Sequence, residues 1–218
     1  QEKFLPLPLT YQVNDGRLNI NLEANRASHN LPTKGMILGS LNQSFKLDPL
    51  MFDVWVEILQ KHEATYLWLL DEGEDMKKNI LSYLDNRIDK ERIIFAERVD
   101  RETHLSRICN IDIALDTRIY NGHTTSIEMI QSGIPLVTLE GNHFASRVSS
   151  SLLHALGIEE LISKNIDDYK DIVSNLINDD NARDSLKSKI HHQLSKSKLM
   201  DTNFFVRSFE DTIFRIFK

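Results

Sequence analysis

Cysteine is almost absent. Cys109 is the single thiol in 218 residues, so no internal disulfide can form and no cysteine cluster can ligate a metal. That usage suits a reducing compartment, and the cytoplasm is the expected location. Long hydrophobic runs are missing too: no apolar stretch reaches the roughly 18–20 residues that span a bilayer, and no charged-then-apolar leader opens the chain, so a protein outside the membrane is expected. There is no excess of positive charge. Lys and Arg number 26 against 32 Asp and Glu, for a formal net charge of −6 and a pI of about 5.8. Such a balance offers no footprint for nucleic acid or an anionic membrane surface, and any phosphate must be gripped locally. The 8 histidines show no zinc-type spacing, and His191-His192 falls in a polar helical stretch where both rings are expected in solvent. Neither a Gly-x-Ser-x-Gly elbow nor a Ser-His-Asp order supports a serine nucleophile. Repeats of roughly 20–50 residues and low-complexity tracts are absent as well.

What is present is enough apolar material for a core, 41% of the residues, in one sizeable domain or two small ones. The chain starts at Gln1, and a piece excised from a longer protein is expected. Residues 1–32 read as an extended segment between lobes. Phe4-Leu5-Pro6-Leu7-Pro8-Leu9 is an apolar run punctuated by proline, Asn14-Asp15-Gly16 is a turn signal, and Arg17–Leu22 alternates as an edge strand does. Residues 33–200 form the domain proper, and 201–218 a carboxyl-terminal helix whose wide apolar face packs on its own sheet or across to a second lobe.

Within the domain, strands are predicted at Met36–Leu41, Tyr66–Leu70, Ile93–Ala96, Ile111–Leu115 and Leu136–Leu139, with a short sixth near Leu161-Ile162. Helices are predicted at Pro49–Lys61, Asp75–Asn86, Arg101–Cys109, Thr124–Ser132, Ala145–Leu156, Asp167–Asn178, Ala182–Ser195 and Asn203–Phe217. Alternation of this kind requires crossover connections, hence an α/β fold: a Rossmann-like parallel sheet with helices on both faces. Ligands of such sheets sit beyond the carboxyl ends of the strands, where the crossovers change direction.

The stretch Asn121-Gly122-His123-Thr124-Thr125-Ser126-Ile127-Glu128 lies at such an end, between a buried strand and a helix start. Gly122 allows close backbone approach, and Thr124 and Thr125 place hydroxyls and free amides at the positive end of the helix, which favours an anion. Glu128, one turn on, is placed to accept hydrogen bonds from a sugar. A helix cap without any ligand uses the same residues. After the first strand, Lys46 precedes the helix opened by Asp48-Pro49, where an ammonium can neutralise a departing diphosphate, although an exposed lysine with no such task reads identically. His104 and Arg107 share a helical face suited to flanking a planar base, or to solvent. Ala145-Ser146-Arg147 is a polar rim or an ordinary helix start.

Eight blocks in order carry a resemblance: Leu41-Asn42-Gln43-Ser44-Phe45-Lys46-Leu47-Asp48-Pro49, then Trp68-Leu69-Leu70, Arg92-Ile93-Ile94-Phe95, Thr103-His104, Leu115-Asp116-Thr117, Asn121-Gly122-His123-Thr124-Thr125, Gly133-Ile134-Pro135-Leu136-Val137-Thr138, and Ala145-Ser146-Arg147-Val148. Over about residues 36–165 the chain resembles the carboxyl-terminal, donor-binding lobe of the O-linked N-acetylglucosamine transferases, the GT41-type protein glycosyltransferases with their bacterial relatives. The resemblance implies a two-lobed GT-B fold and an inverting transfer of a sugar, UDP-GlcNAc being the favoured donor, to Ser, Thr or Asn of a protein acceptor. It implies no metal or other cofactor. It implies that Lys46 contacts the diphosphate, that Gln43 is a neighbouring polar contact, that His123, Thr124 and Thr125 grip phosphate, and that His104 and Arg107 lie beside the base. Glu128 stands where the animal enzymes carry an aspartate for the ribose, and Val99 and Arg101 also differ from them. The family's amino-terminal repeats and first catalytic lobe, with much of the acceptor cleft and a histidine discussed as a base, are missing. Two other readings stay open: a catalytically inactive nucleotide-binding or regulatory module, which can dispense with Lys46 and Gln43, and a sugar-nucleotide epimerase, which needs cleft carboxylates where only Glu128 is placed. Whether uracil or guanine is read also stays open.

Overall fold

A parallel sheet needs each strand buried on both faces, and the apolar runs supply this. In a computed structural model of the chain, which describes residues 5–16 and 25–217, six strands form one sheet: β1 (Met36–Ser40), β2 (Thr65–Leu70), β3 (Ile93–Ala96), β4 (Ile113–Leu115), β5 (Leu136–Leu139) and β6 (Ile162–Ser163). Their order is β3-β2-β1-β4-β5-β6 and every pairing is parallel. The chain therefore winds outward from β1 to one edge, returns, and winds outward from β4 to the other. The reversal falls between β1 and β4, where Leu38 pairs with Ile113.

Eight α-helices cover the faces: α1 (Pro49–Lys61), α2 (Glu74–Leu84), α3 (Arg101–Arg107), α4 (Thr124–Gln131), α5 (Val148–Leu156), α6 (Ile166–Asn178), α7 (Asp180–Lys196) and α8 (Thr202–Ile216). Right-handed crossovers place α1 and α2 on one face and α3, α4 and α5 on the other. Helix α6 returns to pack on α1, where Trp55 Nε1 donates to the buried Tyr169 hydroxyl at 3.2 Å, and α7 packs on α4 and α5. At the end of α4, Gly133 has φ +74°, and a Cβ there would meet the His191 ring of α7 at 2.2 Å. His191 is exposed as expected, yet its ring covers this glycine.

Most element ends follow local chemistry. Asp48 accepts from Met51 N at 3.3 Å and Pro49 occupies the first turn of α1, so that helix starts where a cap and a first-turn proline put it. Several boundaries shift by a few residues, among them the end of α2 at Leu84 and the start of α7 at Asp180, and three of the shifts have a clear local cause. Helix α5 begins at Val148 rather than Ala145, because Phe144–Ser146 forms a separate 3-10 turn and Arg147, at φ −125° and ψ 4°, interrupts the helix. Strand β4 begins at Ile113, since Ile111 closes the 3-10 turn Ile108–Asn110 and the Asp112 carboxylate takes the Ile37 amide at 2.7 Å. That same turn ends α3 at Arg107, short of Cys109.

The edge strand expected at Arg17–Leu22 lies outside the described residues. Residues 5–16 run over α4, α5 and the start of α8: Ser151 Oγ donates to Leu9 O, Gln131 Nε2 to Asp15 O and Thr202 Oγ1 to Asn14 O, at 3.4, 3.0 and 3.2 Å. No residue of α8 is fully buried, and Phe209, Phe214 and Ile216 are exposed. Among the described residues no helix is long and apolar enough to cross a membrane.

Candidate functional site

The loops leaving β1 and β4 meet at the reversal of the sheet, as the position of ligand sites in such folds predicts. Asn42 joins them. Its amide donates to Thr117 Oγ1 at 3.3 Å and its carbonyl accepts from Thr125 Oγ1 at 2.6 Å. Thr125 is therefore tied across the switch point and does not cap its own helix. No side chain caps α4 at all, so the reading of Thr124-Thr125 as a self-sufficient cap is not what the structure has. The first-turn amides of an α-helix have no intrahelical partner and carry partial positive charge.

Asp116, at the end of β4, holds this turn in shape. Only 1% exposed, it accepts from Gly122 N at 2.7 Å, Thr117 N at 2.9 Å and Thr138 Oγ1 at 2.8 Å. Burial raises its carboxyl above the usual range against the pull of those bonds, the one from Gly122 first. Gly122 is required by packing: a Cβ would lie 2.3 Å from Ser126 Oγ and 2.6 Å from Thr125 Oγ1. The backbone there approaches the first turn of α4, where close approach to a ligand was the expectation. Asn121, also buried, accepts from Lys46 Nζ through its carbonyl at 2.9 Å and donates from its side chain to Thr117 O at 2.7 Å.

Lys46 thus reaches from the β1 loop to the β4 loop, its ammonium 4.3 Å from the centre of the Tyr120 ring. Burial lowers it below the usual lysine range, and the Asp116 charge partly opposes this. The loop carrying Gln43 and Lys46 is pinned by Glu72, which accepts from Ser44 N and Arg98 Nη2, both at 2.5 Å. Burial works against that carboxylate, yet Ser44 and then Arg98 hold it below its usual range.

Gln43, Lys46, His104, Arg107, His123, Thr124 and Thr125 all line one cleft of about 470 Å³, with Phe45, Arg98, Val99 and Tyr120. Gln43 and Thr124 are exposed in it. Arg107 is not: at 2% exposure, its Nη1 donates to the Glu97 carbonyl and its Nη2 contacts His104 Nδ1 at 3.2 Å. Because a guanidinium cannot accept, Nδ1 must, and neutral His104 carries its proton on Nε2. Of the two residues expected to flank a base, His104 presents a ring while Arg107 orients that ring. Burial, then Arg107 and Arg101, lowers His104 to about 4, so its 3.7 Å approach to Glu128 Oε2 is no ion pair at neutral pH.

Glu128 does not share the main cleft. It opens into an adjoining one of about 310 Å³ between α4 and residues 12–15, with Arg101 and Thr124 in its wall. Burial raises its carboxyl above the usual range, and Arg101, at 3.5 Å, partly opposes this. Thr124 lines both clefts and joins them. Arg147 stays outside, 3.7 Å from Glu140. Among the described residues no three His, Cys, Asp or Glu side chains gather as a metal cluster does.

Sequence reasoning missed the roles of Asp116, Asn42, Tyr120 and Tyr11. A polar residue ending an apolar strand was the available sign for Asp116. Tyr11 lies 112 positions before His123, whose ring nitrogen its hydroxyl meets, and no local pattern marks such a pair.

The order of the sheet, with an uncapped helix start at its switch point and a lysine facing it, defines a doubly wound, Rossmann-like α/β lobe. Comparison with known proteins then places it: the model of glycosyl transferase family 41 matches residues 16–209, and the chain belongs to that family. It is 32% identical over 201 residues to the UDP-N-acetylglucosamine-peptide N-acetylglucosaminyltransferase of Caenorhabditis elegans, covering 92% of this chain and 18% of that protein. It is 30% identical over 190 residues to a probable transferase of the same description, SPINDLY, from Petunia hybrida, covering 83% and 20%. A solved mutant of the Thermobaculum terrenum O-GlcNAc transferase superposes with a TM-score of 0.86 at 27% identity, over 96% of this chain and 40% of that one. TarM of S. aureus, at 16% identity and TM-score 0.61, shares the fold, as does a putative UDP-N-acetylglucosamine 2-epimerase from Listeria monocytogenes at 15% and 0.52. The chain spans about a fifth of the length of these curated relatives.

Proposed function

We propose that this chain is the donor-binding lobe of a glycosyltransferase that takes a UDP-sugar, UDP-GlcNAc foremost, and passes the sugar with inversion to a protein side chain. The observation that carries this reading is Lys46, drawn half-buried across the switch point to within 2.9 Å of Asn121 O, facing the uncapped start of α4. As the bond from the anomeric carbon to the diphosphate breaks, its electron pair goes to the bridging oxygen. A fixed cation and helix amides aimed there hold that growing charge more strongly than they hold the intact donor. Gln43 and His123 flank the diphosphate, with Thr124 and Thr125 at the helix terminus. His104 lies against the base with Arg107 behind it, and Glu128 takes the ribose hydroxyls through the adjoining cleft. The charge compensation comes from the chain itself, so no metal is needed.

The likeness to peptide N-acetylglucosaminyltransferases that use UDP-N-acetylglucosamine supports the donor and a protein acceptor. A further, amino-terminal lobe supplies the acceptor cleft and the base, and the exposed apolar face of α8 suits packing against it. A cytoplasmic setting fits the near absence of cysteine, and a bacterial one the likeness to the Thermobaculum terrenum O-GlcNAc transferase.

The test is calorimetric titration with UDP and GDP side by side in the presence of a chelator. UDP is expected to bind with Kd between about 1 μM and 1 mM and more tightly than GDP. An absence of heat with millimolar UDP, or binding that the chelator abolishes, overturns the proposal.

A further inference from the structure

Tyr11 comes from outside the sheet to meet His123, a residue of the donor cleft. Its hydroxyl lies 2.5 Å from His123 Nδ1, and its ring packs edge-on against His123 at 5.6 Å and Phe144 at 4.8 Å between centroids. The segment that carries it is anchored on both sides, at Leu9 by Ser151 and at Asn14 by Thr202. Tyr120 stands against His123 as well, 5.0 Å away, so the imidazole is clamped between two tyrosines. Its other nitrogen, Nε2, is buried and has no hydrogen-bond partner among the described residues.

A neutral imidazole offers one N–H and one lone pair, and the partner of one nitrogen decides the state of the other. A phenol O–H is a stronger donor than an imidazole N–H, and an imidazole lone pair a stronger acceptor than a phenol oxygen, so the contact between Tyr11 and His123 is best made as O–H···N. The phenol therefore donates, Nδ1 accepts, and the ring proton sits on Nε2. Both groups are in the protonation state this needs at neutral pH. Burial, then the Lys46 charge, holds His123 below the usual histidine range, and burial, then Tyr120, holds Tyr11 above the usual tyrosine range.

We propose that Tyr11 is a positioning residue of the donor site: its hydroxyl fixes His123 as the Nε2–H tautomer, so that an uncharged ring gives a hydrogen bond to a diphosphate oxygen beside the Lys46 ammonium. The opposite tautomer turns a lone pair toward the phosphate lone pairs, and a protonated ring sets a second cation against Lys46. The fixed neutral donor avoids both. This inference rests on the donor-site reading above.

The test uses the 218-residue chain labelled with 15N-histidine, in which long-range proton–nitrogen correlations report which ring nitrogen of His123 is protonated. The wild type is expected to show Nε2–H and a bare Nδ1. Tyr11→Phe keeps the ring contacts and removes the hydroxyl. It is expected to give a tautomer mixture, to weaken UDP and inorganic pyrophosphate each by about three- to tenfold, and to leave uridine binding and the thermal midpoint unchanged. In a His123→Gln background, where the imidazole is gone, Tyr11→Phe is expected to cause no further loss. A wild-type ring protonated on Nδ1, or UDP and pyrophosphate binding indifferent to Tyr11→Phe, overturns the proposal while leaving the donor site standing. A wild-type chain that binds neither UDP nor pyrophosphate overturns the donor-site reading and the phosphate contact together.

Discussion

Replacing Lys46 by alanine removes one cation from a place where the structure has arranged for little else to move. Its ammonium is held by Asn121 O at 2.9 Å and by the Tyr120 ring at 4.3 Å, so it is already aimed when the donor arrives. Two unit charges about 4 Å apart attract by about 4 kcal/mol at an effective dielectric near 20. Lys46 is only half-buried, so solvent screens part of this, and about 1.5–3 kcal/mol is the scale of a hydrogen bond to a charged group. UDP carries the charge that develops as the sugar leaves, whereas in the sugar nucleotide that oxygen is esterified. Lys46→Ala should therefore weaken UDP by about 10- to 100-fold and the sugar nucleotide by less, in calorimetric titrations of this chain. In the complete enzyme the same change should lower turnover by about 10²–10³, mainly in kcat, with the fold unaltered. Equal losses for UDP and the sugar nucleotide, or a preserved kcat with a raised KM, would mean that Lys46 binds ground state and transition state alike. The leaving-group assignment would then be withdrawn.

Three further outcomes test other parts of the site. Glu128→Ala should weaken UDP by about 1.5–3 kcal/mol and leave pyrophosphate almost untouched; equal losses for the two would make Glu128 a support for α4 instead of a ribose ligand. Asp116→Ala strands the Gly122 and Thr117 amides and should cost about 2–6 kcal/mol of stability in urea unfolding, at about 1–3 kcal/mol for each buried donor left unpaired. Asp116→Asn retains an acceptor oxygen and should cost much less, so similar losses in both variants would point to the charge rather than the acceptors. His104 is depressed to about 4 when folded against about 6.5 in an unfolded chain. The unfolded state thus takes up the proton first, and stability is complete above pH 6.5 and falls as pH drops towards 4, by an amount on the order of 3 kcal/mol. His104→Gln should flatten that part of the acid unfolding curve, and an unchanged curve would show that His104 is not the group responsible.

The elements legible in the sequence were those whose ends are written locally. Asp48-Pro49 states where α1 begins, and the apolar tetrads Ile93–Ala96 and Leu136–Leu139 match β3 and β5 because each is bounded by residues that leave the sheet. The start of α5 was not legible, since Ala145-Ser146-Arg147 has the composition of a helix and the interruption at Arg147 is a backbone angle. At the site, spacing placed His104 and Arg107 on one face correctly but could not tell which of them would be buried. That depended on the Glu97 carbonyl and the Trp68 ring, which other strands bring. For Glu128 the helical periodicity indicated the right end of the sheet. That α4 and residues 12–15 set it in an adjoining cleft was decided by a segment more than a hundred positions away.

The same distinction explains where the anion site gets its rigidity. Thr124, Thr125 and the first-turn amides are local, and a short helix of eight residues cannot fix them alone. Their geometry is imposed by bonds from outside the helix: Asp116 on the Gly122 amide, Asn42 on Thr125, Asn121 on Lys46, and Ser149 on both Ser126 and Asn121. The first closes the β4–α4 turn on itself, and the others join that turn to a loop or helix reached by a separate crossover. The turn supplies the donors, and the closure of the sheet around the switch point decides where they are aimed. A motif match alone therefore locates such a site in the chain, while its strength depends on buried residues, Asp116 above all, that need never touch the ligand.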